Sequence, residues 1–321
     1  MTRRIVIAGA SGFIGRYLAE RYRSAGHSVQ TIGRRGADAD WTDPAAITRL
    51  LDGADLLVNL SGKSVNCRYT AANRAEILRS RVQTTRQLAD AIAACQSPPP
   101  LWVNSSTATI YRHADDRAMT ESTGEIGTGF SVGIATAWER AFFAPELPGT
   151  RRVALRMAIV LGDGSALLPL VNLARFGLGG PQRDGRWFGT ARRRAAGTFH
   201  EYRPTAGRQR FSWVHIDDVG NIIDFVAAHP EVSGVLNVSA PGASDNTELM
   251  ETLRRLVRMP IGLPTTRWML ELGSAAIRTE TELVLKSRWV APERLTGLGY
   301  RFEHPELEPA LRDILTERAS R

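Results

Sequence analysis

Residues Gly9 to Gly15 read GASGFIG. They follow a short β-branched run, RIVIA, at Arg4 to Ala8. They precede RYLAERYRSAG, in which Leu18, Tyr22 and the alanines recur at helical spacing until Gly26. Strand, glycine turn and helix in that order constrain the chain strongly. The first glycine permits the tight turn, the second lets backbone amides approach a pyrophosphate, and the third allows close packing of helix on strand. The helix N-terminus meanwhile faces the negative charge. Gly9, Ser11, Gly12, Phe13, Ile14 and Gly15 are therefore expected to cradle a dinucleotide diphosphate. The bland alternative is a structural glycine turn with no ligand.

Downstream, SVQTIGRR reads as a second strand, and DLLVNLSG (Asp55 to Gly62) as a buried strand entering a loop. Residues 70–95 carry a long helical pattern that ends at SPPP. LWVNSST is a strand, Thr136 to Phe143 a helix and RVALRMAIVLG a strand. Strands alternating with helices imply an α/β fold, a doubly wound parallel sheet with helices on both faces. After Gly162 the rhythm changes. A weak helix around Leu167 to Phe176 precedes a Gly- and Arg-rich stretch, RFSWVHIDDVGNIIDFVAAH returns to strand then helix, VLNVSA is a short strand, and from Thr247 the pattern is mostly helical. The expected division is a dinucleotide-binding domain of residues 1–162 plus 212–238. A smaller discontinuous substrate-side lobe takes 163–211 plus 239–321.

The end of the second strand decides which dinucleotide fits. An NAD site places an acid there for the ribose 2′-hydroxyl, whereas an NADP site omits the acid and offers arginine. Gly33-Arg34-Arg35 follows this strand and no acid lies at 30–35. A guanidinium can pair bidentately with a 2′-phosphate, so the expected cofactor is NADP(H). The other reading of Arg34 and Arg35 is a solvated pair. Asp40-Trp41 is placed along the adenine, and Leu60-Ser61-Gly62 beside the adenosine ribose.

Composition bounds the class. Apolar residues are 43% and charged residues 23%, which excludes a disordered chain. Cys67 and Cys95 allow at most one bridge, and the sequence spacing of Cys and His shows no metal cluster. No apolar run approaches the roughly 20 residues of a membrane span. With the first strand starting at Arg4 there is no room ahead of it for a signal peptide, so a cytoplasmic, soluble protein is expected. The net charge is +8, but residues 175–211 hold nine arginines against Asp184 and Glu201. The excess sits in one segment, which argues against a general nucleic-acid-binding surface.

The motifs GASGFIG, LVNLSG, SSTATIY, LRMAIVLG, GLGGP and FSWVHIDDV occur in the order seen in the short-chain dehydrogenase/reductase superfamily. The chain resembles its atypical, extended branch, the NAD-dependent epimerase or nucleoside-diphosphate-sugar epimerase-like proteins. AEILRSRVQTTRQL, RFGLGGP and the tail VAPERLTGLGYRFEHPELEPALRDIL resemble the epimerase family that ends in a short helical C-terminal domain of unknown function. The likeness covers about 1–182 and 210–315. It implies cofactor contacts at Gly33, Arg34, Leu60 and Ser61, further contacts at Glu76 and Arg81, and Val160 near the nicotinamide. Without the resemblance, Glu76 and Arg81 read as a solvated helical face.

Members of the superfamily usually hold a Ser or Thr, then Tyr-x-x-x-Lys, in which the lysine lowers the tyrosine pKa for proton transfer. Thr107, in SSTATIY, falls where the hydroxyl member sits. Counting back from Glu139, the tyrosine slot holds Ser131 and the lysine slot Ala135, and the two lysines, Lys63 and Lys286, do not follow a tyrosine by four. Tyr111 is the nearest phenol to Thr107. As a base it needs a cation to lower a pKa of about 10, and Arg156 is the candidate cation and a candidate substrate contact. The competing role for Tyr111 is packing. Lys63, in GKSVNCRY, reads either as a phosphate or substrate contact or as a solvated loop lysine. His215 is expected to anchor a strand–helix junction, with Asp217 or Asp218 capping the helix. A nucleophilic Cys67 lacks a histidine placed by sequence.

The chain carries an insertion at about 183–209 relative to the proteins it resembles. There Trp187, Phe188, Phe199, His200 and Tyr202 interleave with arginines. On the substrate side it would favour an anionic partner. It also reads as a hairpin, an oligomer contact or a solvated loop, and less well as a single-strand nucleic-acid platform. Two functions remain in view. One is an NADP(H)-dependent oxidoreductase or epimerase acting on a small anionic or nucleotide-linked substrate, with Thr107 and Tyr111 as the catalytic candidates. The other is a non-catalytic NADP(H)-binding or sensing protein with a macromolecular partner. A homodimer is the average expectation for such a chain.

Overall fold

A strand whose consecutive side chains are all apolar must be covered on both faces, which places it inside a parallel sheet. Arg4–Ala8 (β1) is such a strand, with Ile5, Val6, Ile7 and Ala8 all buried. In the computed structural model of the protein, which describes residues 2–164, 167–183, 188–199, 205–276 and 285–319, β1 lies inside a seven-stranded sheet. The next strands in the chain are Ser28–Gly33 (β2), Ala39–Asp40 (β3), Leu56–Asn59 (β4), Leu101–Thr107 (β5) and Arg151–Met157 (β6). Ile159–Leu161 (β7), Arg210–Phe211 (β8), Trp213–His215 (β9), Gly234–Val238 (β10) and Ser244–Asp245 (β11) follow. The large sheet runs β10-β6-β5-β4-β1-β2-β3 with all neighbours parallel. The doubly wound α/β architecture expected from the alternating pattern is the one observed.

Phe13–Ser24 (α1), Pro44–Leu51 (α2), Ala71–Ala93 (α3) and Phe130–Phe143 (α4) belong to the first half of the chain. Leu167–Arg175 (α5), Ala191–Ala195 (α6), Ile216–Ala228 (α7), Asn246–Leu256 (α8), Arg267–Ala276 (α9), Glu293–Gly297 (α10) and Leu307–Ala319 (α11) follow. The pleat of β1 divides the core. Ile5 and Ile7 join Leu18 and Tyr22 of α1 and Val219, Ile223 and Val226 of α7 on one face. Val6 and Ala8 join Ile47 and Leu51 of α2 and Leu88 and Ile92 of α3 on the other. A further cluster, including Leu161, Val171, Trp213, Leu253 and Leu311, packs α5, α8 and α11 against β7 and β9. No helix among the described residues is long and apolar enough to cross a membrane.

Three local features depart from the sequence reading. First, α4 starts at Phe130, six residues before Thr136, because Gly129 at φ +102 turns the chain in and Gly133 is carried inside the helix. Second, the run RVALRMAIVLG is two strands. After Ala158, whose amide bonds the Val238 carbonyl at 2.9 Å, the chain leaves the main sheet and Ile159–Leu161 pairs with β9. Third, α2 was not anticipated between the second and third major strands. Asp43 caps it by accepting from the Ala46 amide, with Pro44 in the first turn.

The turn glycines differ in what the fold requires of them. Gly9 has φ +86, and a Cβ there would lie 2.8–2.9 Å from the backbone of Leu60 and Ser61. A Cβ on Gly15 would meet the Gly9 carbonyl oxygen at 2.4 Å and Ala10 Cα at 2.7 Å. On Gly12 it meets only the Gly9 oxygen, at an ordinary 3.4 Å. We predict that Gly15→Ala lowers unfolding free energy in urea by about 2–3 kcal/mol, as overpacking against backbone does. Gly12→Ala should cost under about 1 kcal/mol, the scale of a cap change. Equal losses for the two variants would contradict this division of roles.

Candidate functional site

Strand order reverses at β1, with β2 on one side and β4 on the other. In open α/β sheets ligands bind in the crevice at this switch point, beyond the carboxyl ends of the strands. Here the crevice is narrow at its base, because the Leu60 amide donates to the Ala8 carbonyl at 2.8 Å and Gly9 abuts Leu60 and Ser61. Helix α1 opens immediately above it. Its N-cap is Gly12, which supplies no side-chain cap, and its first turn holds no acidic residue. The leading amides of an α-helix have no partner within the helix, so those of Phe13, Ile14 and Gly15 are donors at the positive end of the dipole.

On the β2 side, Gly33 ends its strand and Arg34 and Arg35 are exposed. Among the described residues neither guanidinium makes an ion pair. Asp40 turns away from this edge, accepting from the Thr42 amide and hydroxyl at 2.9 and 2.7 Å, which hold its carboxyl below the usual range. Ser61 is buried, its hydroxyl bonded to Asn59 Oδ1 and lying 2.9 Å from Thr84 Oγ1, so it stiffens the β4 loop. Gly62 and Lys63 continue that loop, with the Lys63 amide on Ser80 Oγ at 2.9 Å. Glu76 is paired with Arg79 on the helix surface. Arg81 is placed differently. It lies over the Trp138 ring at 5.1 Å and donates to the carbonyls of Lys63 at 2.9 Å and Ile77 at 3.2 Å, with no carboxylate partner among the described residues. Burial pushes its guanidinium down to about 10.

Thr107 ends β5 and is half-buried, its hydroxyl accepting from the Thr109 amide at 3.2 Å. Tyr111 is 1% exposed. Its hydroxyl donates to Asn237 Oδ1 at 2.8 Å and accepts from Arg156 Nη1 at 2.9 Å. The cation does adjoin the phenol, yet burial outweighs it and the Tyr111 pKa rises rather than falls. Nor is Arg156 open to a ligand in the way the sequence reading supposed. Nε and Nη2 grip Glu139 at 2.8 and 2.7 Å, both side chains are 11% exposed, and Ser106 donates to the same carboxylate at 2.6 Å. Three of its five donors are thus committed inside the protein. Ser131 lies in the first turn of α4, and Ala135 is fully buried in one apolar cluster with Ala108, Ile110, Tyr111 and Ala158. Val160 sits in the middle of β7, in register with Val214.

Two groups reach this region from elsewhere in the chain. The insertion forms α6 and lies on the start of α4: the Gly197 carbonyl accepts from the Phe130 amide at 3.1 Å, and Arg74 Nη1 donates to the Ala196 carbonyl at 3.2 Å. Arg193 pairs with Glu271, and Arg194 covers the Phe199 ring at 5.1 Å. Trp187, His200 and Tyr202 lie outside the described residues. Lys286 and Arg288, which the sequence reading passed over, are buried and bond Thr109. A lysine inside the apolar run LVLKSRWV was the available signal.

At the start of α7 the cap is His215 itself, whose Nδ1 accepts from the Asp217 amide at 3.3 Å, rather than either aspartate. Asp218 instead accepts from the Tyr300 hydroxyl and from the Glu303 and His304 amides at 2.9–3.0 Å, tying the C-terminal segment to α7. Folding brings His304 and Asp313 to His215 and Asp217, with one ligand-type atom of each within 4.8 Å of the others. That grouping was invisible in sequence spacing. The two imidazoles stack at 3.8 Å with 36° between their planes.

Comparison with known proteins gives a consistent result. The model of the NAD dependent epimerase/dehydratase family matches residues 5–131, and a domain of unknown function, DUF1731, matches residues 265–314. The chain is 31% identical to the epimerase family protein SDR39U1 of Bos taurus over 97% of this chain and 99% of that one. It is 27% identical to the epimerase family protein YfhF of Bacillus subtilis over 98% of each. Among solved structures it resembles human SDR39U1 (isoform2) with NADPH, at a TM-score of 0.80 and 27% identity over 97% of this chain and 98% of that one. It also resembles a nucleoside-diphosphate sugar epimerase of Corynebacterium glutamicum, at a TM-score of 0.71 and 25% identity over 98% of this chain and 58% of that one.

The buried imidazole generates a pH prediction. Burial, and then the neighbouring His304, lower the folded-state pKa of His215 below its ordinary 6.5. The unfolded chain then takes up the proton first, so this contribution is present above about pH 6.5 and is lost as pH falls towards the folded pKa. The melting temperature should fall by roughly 2 °C between pH 7.5 and 5.5 on this account. The fall should shrink in His215→Asn, which retains a capping oxygen. An unchanged pH profile in that variant would remove His215 as the cause.

Proposed function

The chain belongs to the NAD dependent epimerase/dehydratase family, and on that premise we propose that it is an NADP(H)-binding oxidoreductase or epimerase that acts on a small anionic or nucleotide-linked substrate. The observation that carries the reading is the bare first turn of α1. Gly12 is a glycine that the fold does not demand, set at an uncapped helix N-terminus over the β1/β4 crevice. A ligand phosphate explains both features. Gly9, Ser11, Gly12, Phe13, Ile14 and Gly15 would hold the pyrophosphate, and Leu60, Ser61 and Gly62 would flank the adenosine ribose. Gly33 would leave room for Arg34 and Arg35 to take the 2′-phosphate. Arg81 supports an anion nearby, since a largely buried cation without a carboxylate partner is costly unless a ligand completes it. Glu76 would stand beside it, and Val160 near the nicotinamide.

NADP(H) supplies hydride exchange when bound. In this reading residues 1–162 plus 212–238 hold it and residues 163–211 plus 239–321 face it. Thr107 presents a hydroxyl to the substrate, and Lys63 and the arginines of the insertion favour an anionic group there. The likeness to a nucleoside-diphosphate sugar epimerase supports a nucleotide-linked substrate. Tyr111 and Arg156 act one layer below, holding the wall on which Thr107 stands.

A second reading keeps the cofactor and drops turnover, so that NADP(H) serves as a structural or sensing ligand and a macromolecule is the partner. Its support is the packing: Ala135 is sealed in an apolar cluster and the Tyr111 hydroxyl has both its partners inside the protein.

Calorimetry separates the claims. NADPH should bind at least about tenfold more tightly than NADH, a difference of roughly 1.4 kcal/mol. Arg34→Ala with Arg35→Ala should erase that preference while leaving NADH affinity in place. Tighter binding of NADH, or no saturation by either form, would reject the cofactor assignment. Turnover of a nucleotide-sugar panel that disappears in Thr107→Ala would reject the second reading.

A further inference from the structure

We propose that the C-terminal segment Leu285 to Ala291 is part of the active site, and that Lys286 and Arg288 are positioning residues that hold Thr109 and, through it, the hydroxyl of Thr107. The proposal rests on the reading of Thr107 given above. Thr109 is the hub. Its amide donates to Thr107 Oγ1 at 3.2 Å, its carbonyl accepts from Lys286 Nζ at 2.8 Å, and its own Oγ1 accepts from Arg288 Nε at 3.3 Å. With the Thr109 amide occupying an acceptor site on Thr107, the hydroxyl hydrogen of Thr107 is the part left to point at a substrate oxygen. An error in the angle of Thr109 becomes an error in that direction.

The segment is placed firmly enough for such a role. On one side the Arg288 amide donates to the Arg210 carbonyl at 2.8 Å and the Ser212 amide to the Arg288 carbonyl at 3.0 Å. On the other, the Met119 amide donates to the Trp289 carbonyl at 2.7 Å, the Ala291 amide to the Met119 carbonyl at 3.0 Å and the Ala114 amide to the Ser287 carbonyl at 3.2 Å. Ser287 adds a bond from its amide to His113 Nδ1 at 3.1 Å and one from its hydroxyl to the Ala114 carbonyl at 2.8 Å. Backbone pairing and the buried Val290 already dock the segment, so docking does not require a cation at 286. Yet Lys286 is 4% exposed and Arg288 7%. Burying an ammonium costs free energy that a methionine would not. Its hydrogen bond to the Thr109 carbonyl ties it to the corner that carries Thr107, and gives the domain of unknown function a part in the site.

The test uses the full chain, threonine-methyl labelled, with the Thr107 signal assigned by its loss in Thr107→Ser. Lys286→Met is expected to move the Thr107 methyl resonance by more than its linewidth while the circular dichroism spectrum stays that of the folded chain. Lys286→Arg is expected to return it towards the original position. No movement in Lys286→Met, or equal movement in both variants, overturns the proposal. Should Lys286→Met fail to fold, lysine labelling of the unmutated residue decides. The chain has only two lysines, so the Lys286 ε-methylene signal is identified by its displacement in Ser287→Ala. UDP-glucose added to the NADPH-saturated chain is expected to shift it, and a static signal overturns the proposal. Failure of the underlying reading looks different: NADPH then leaves the Thr107 methyl in place although Lys286→Met moves it, which removes the active-site assignment and leaves only the clamp.

Discussion

Gly9 meets the backbone of Leu60 and Ser61 at a separation where no Cβ fits. That contact pins the turn after β1 to the loop after β4, at the point where the strand order changes direction. Because the turn is pinned, α1 starts where it does, with Gly12 at its N-cap and no side chain capping its first amides. The same contact sets the path of Leu60 to Lys63, whose carbonyl then receives Arg81. A substitution at Gly9 therefore disturbs the sheet, the helix and the loop after β4 together, whereas a Cβ on Gly12 meets only the Gly9 oxygen at 3.4 Å.

A second layer lies at the carboxyl ends of β5, β6 and β10. Ser106, Glu139, Arg156, Tyr111 and Asn237 form one hydrogen-bonded chain inside the protein. A buried ion pair of this kind stabilises weakly in net terms but is expensive to break, about 3–5 kcal/mol when one partner is removed. It ties α4 to the sheet at Glu139. Within that helix Ala135 is sealed in an apolar cluster with Ala108, Ile110, Tyr111 and Ala158.

Most of the architecture was legible because its main elements announce themselves locally. The apolar run of β1, the glycine turn and the periodicity of α1 all lie within about two dozen residues. The 70–95 pattern likewise became a helix over Ala71–Ala93. Where reading failed, a local signal was contradicted by a contact. Gly133 hid the start of α4. The strand-like run from Arg152 concealed the switch at Ala158, because a change of pairing partner leaves no mark on hydropathy. The cap of α7 was misplaced by two or three residues, since Asp217 and Asp218 look like better caps than His215 until the backbone is seen.

By itself the amino-acid sequence determined the parallel sheet, the glycine turn between β1 and α1, the acid-free end of β2 and the lack of a Tyr-x-x-x-Lys spacing. All of these are short-range patterns or simple presences. Tertiary structure alone decided that Arg156 serves Glu139 and Tyr111, that the insertion rests on α4, that His304 stacks on His215, and that Lys286 reaches Thr109 across 177 positions. The physical reason is range. Periodicity and turn chemistry act between neighbours in the chain. The bonding of a charged side chain, and hence its chemistry, is settled by whichever partners the closed fold places within about 3 Å, the reach of a hydrogen bond.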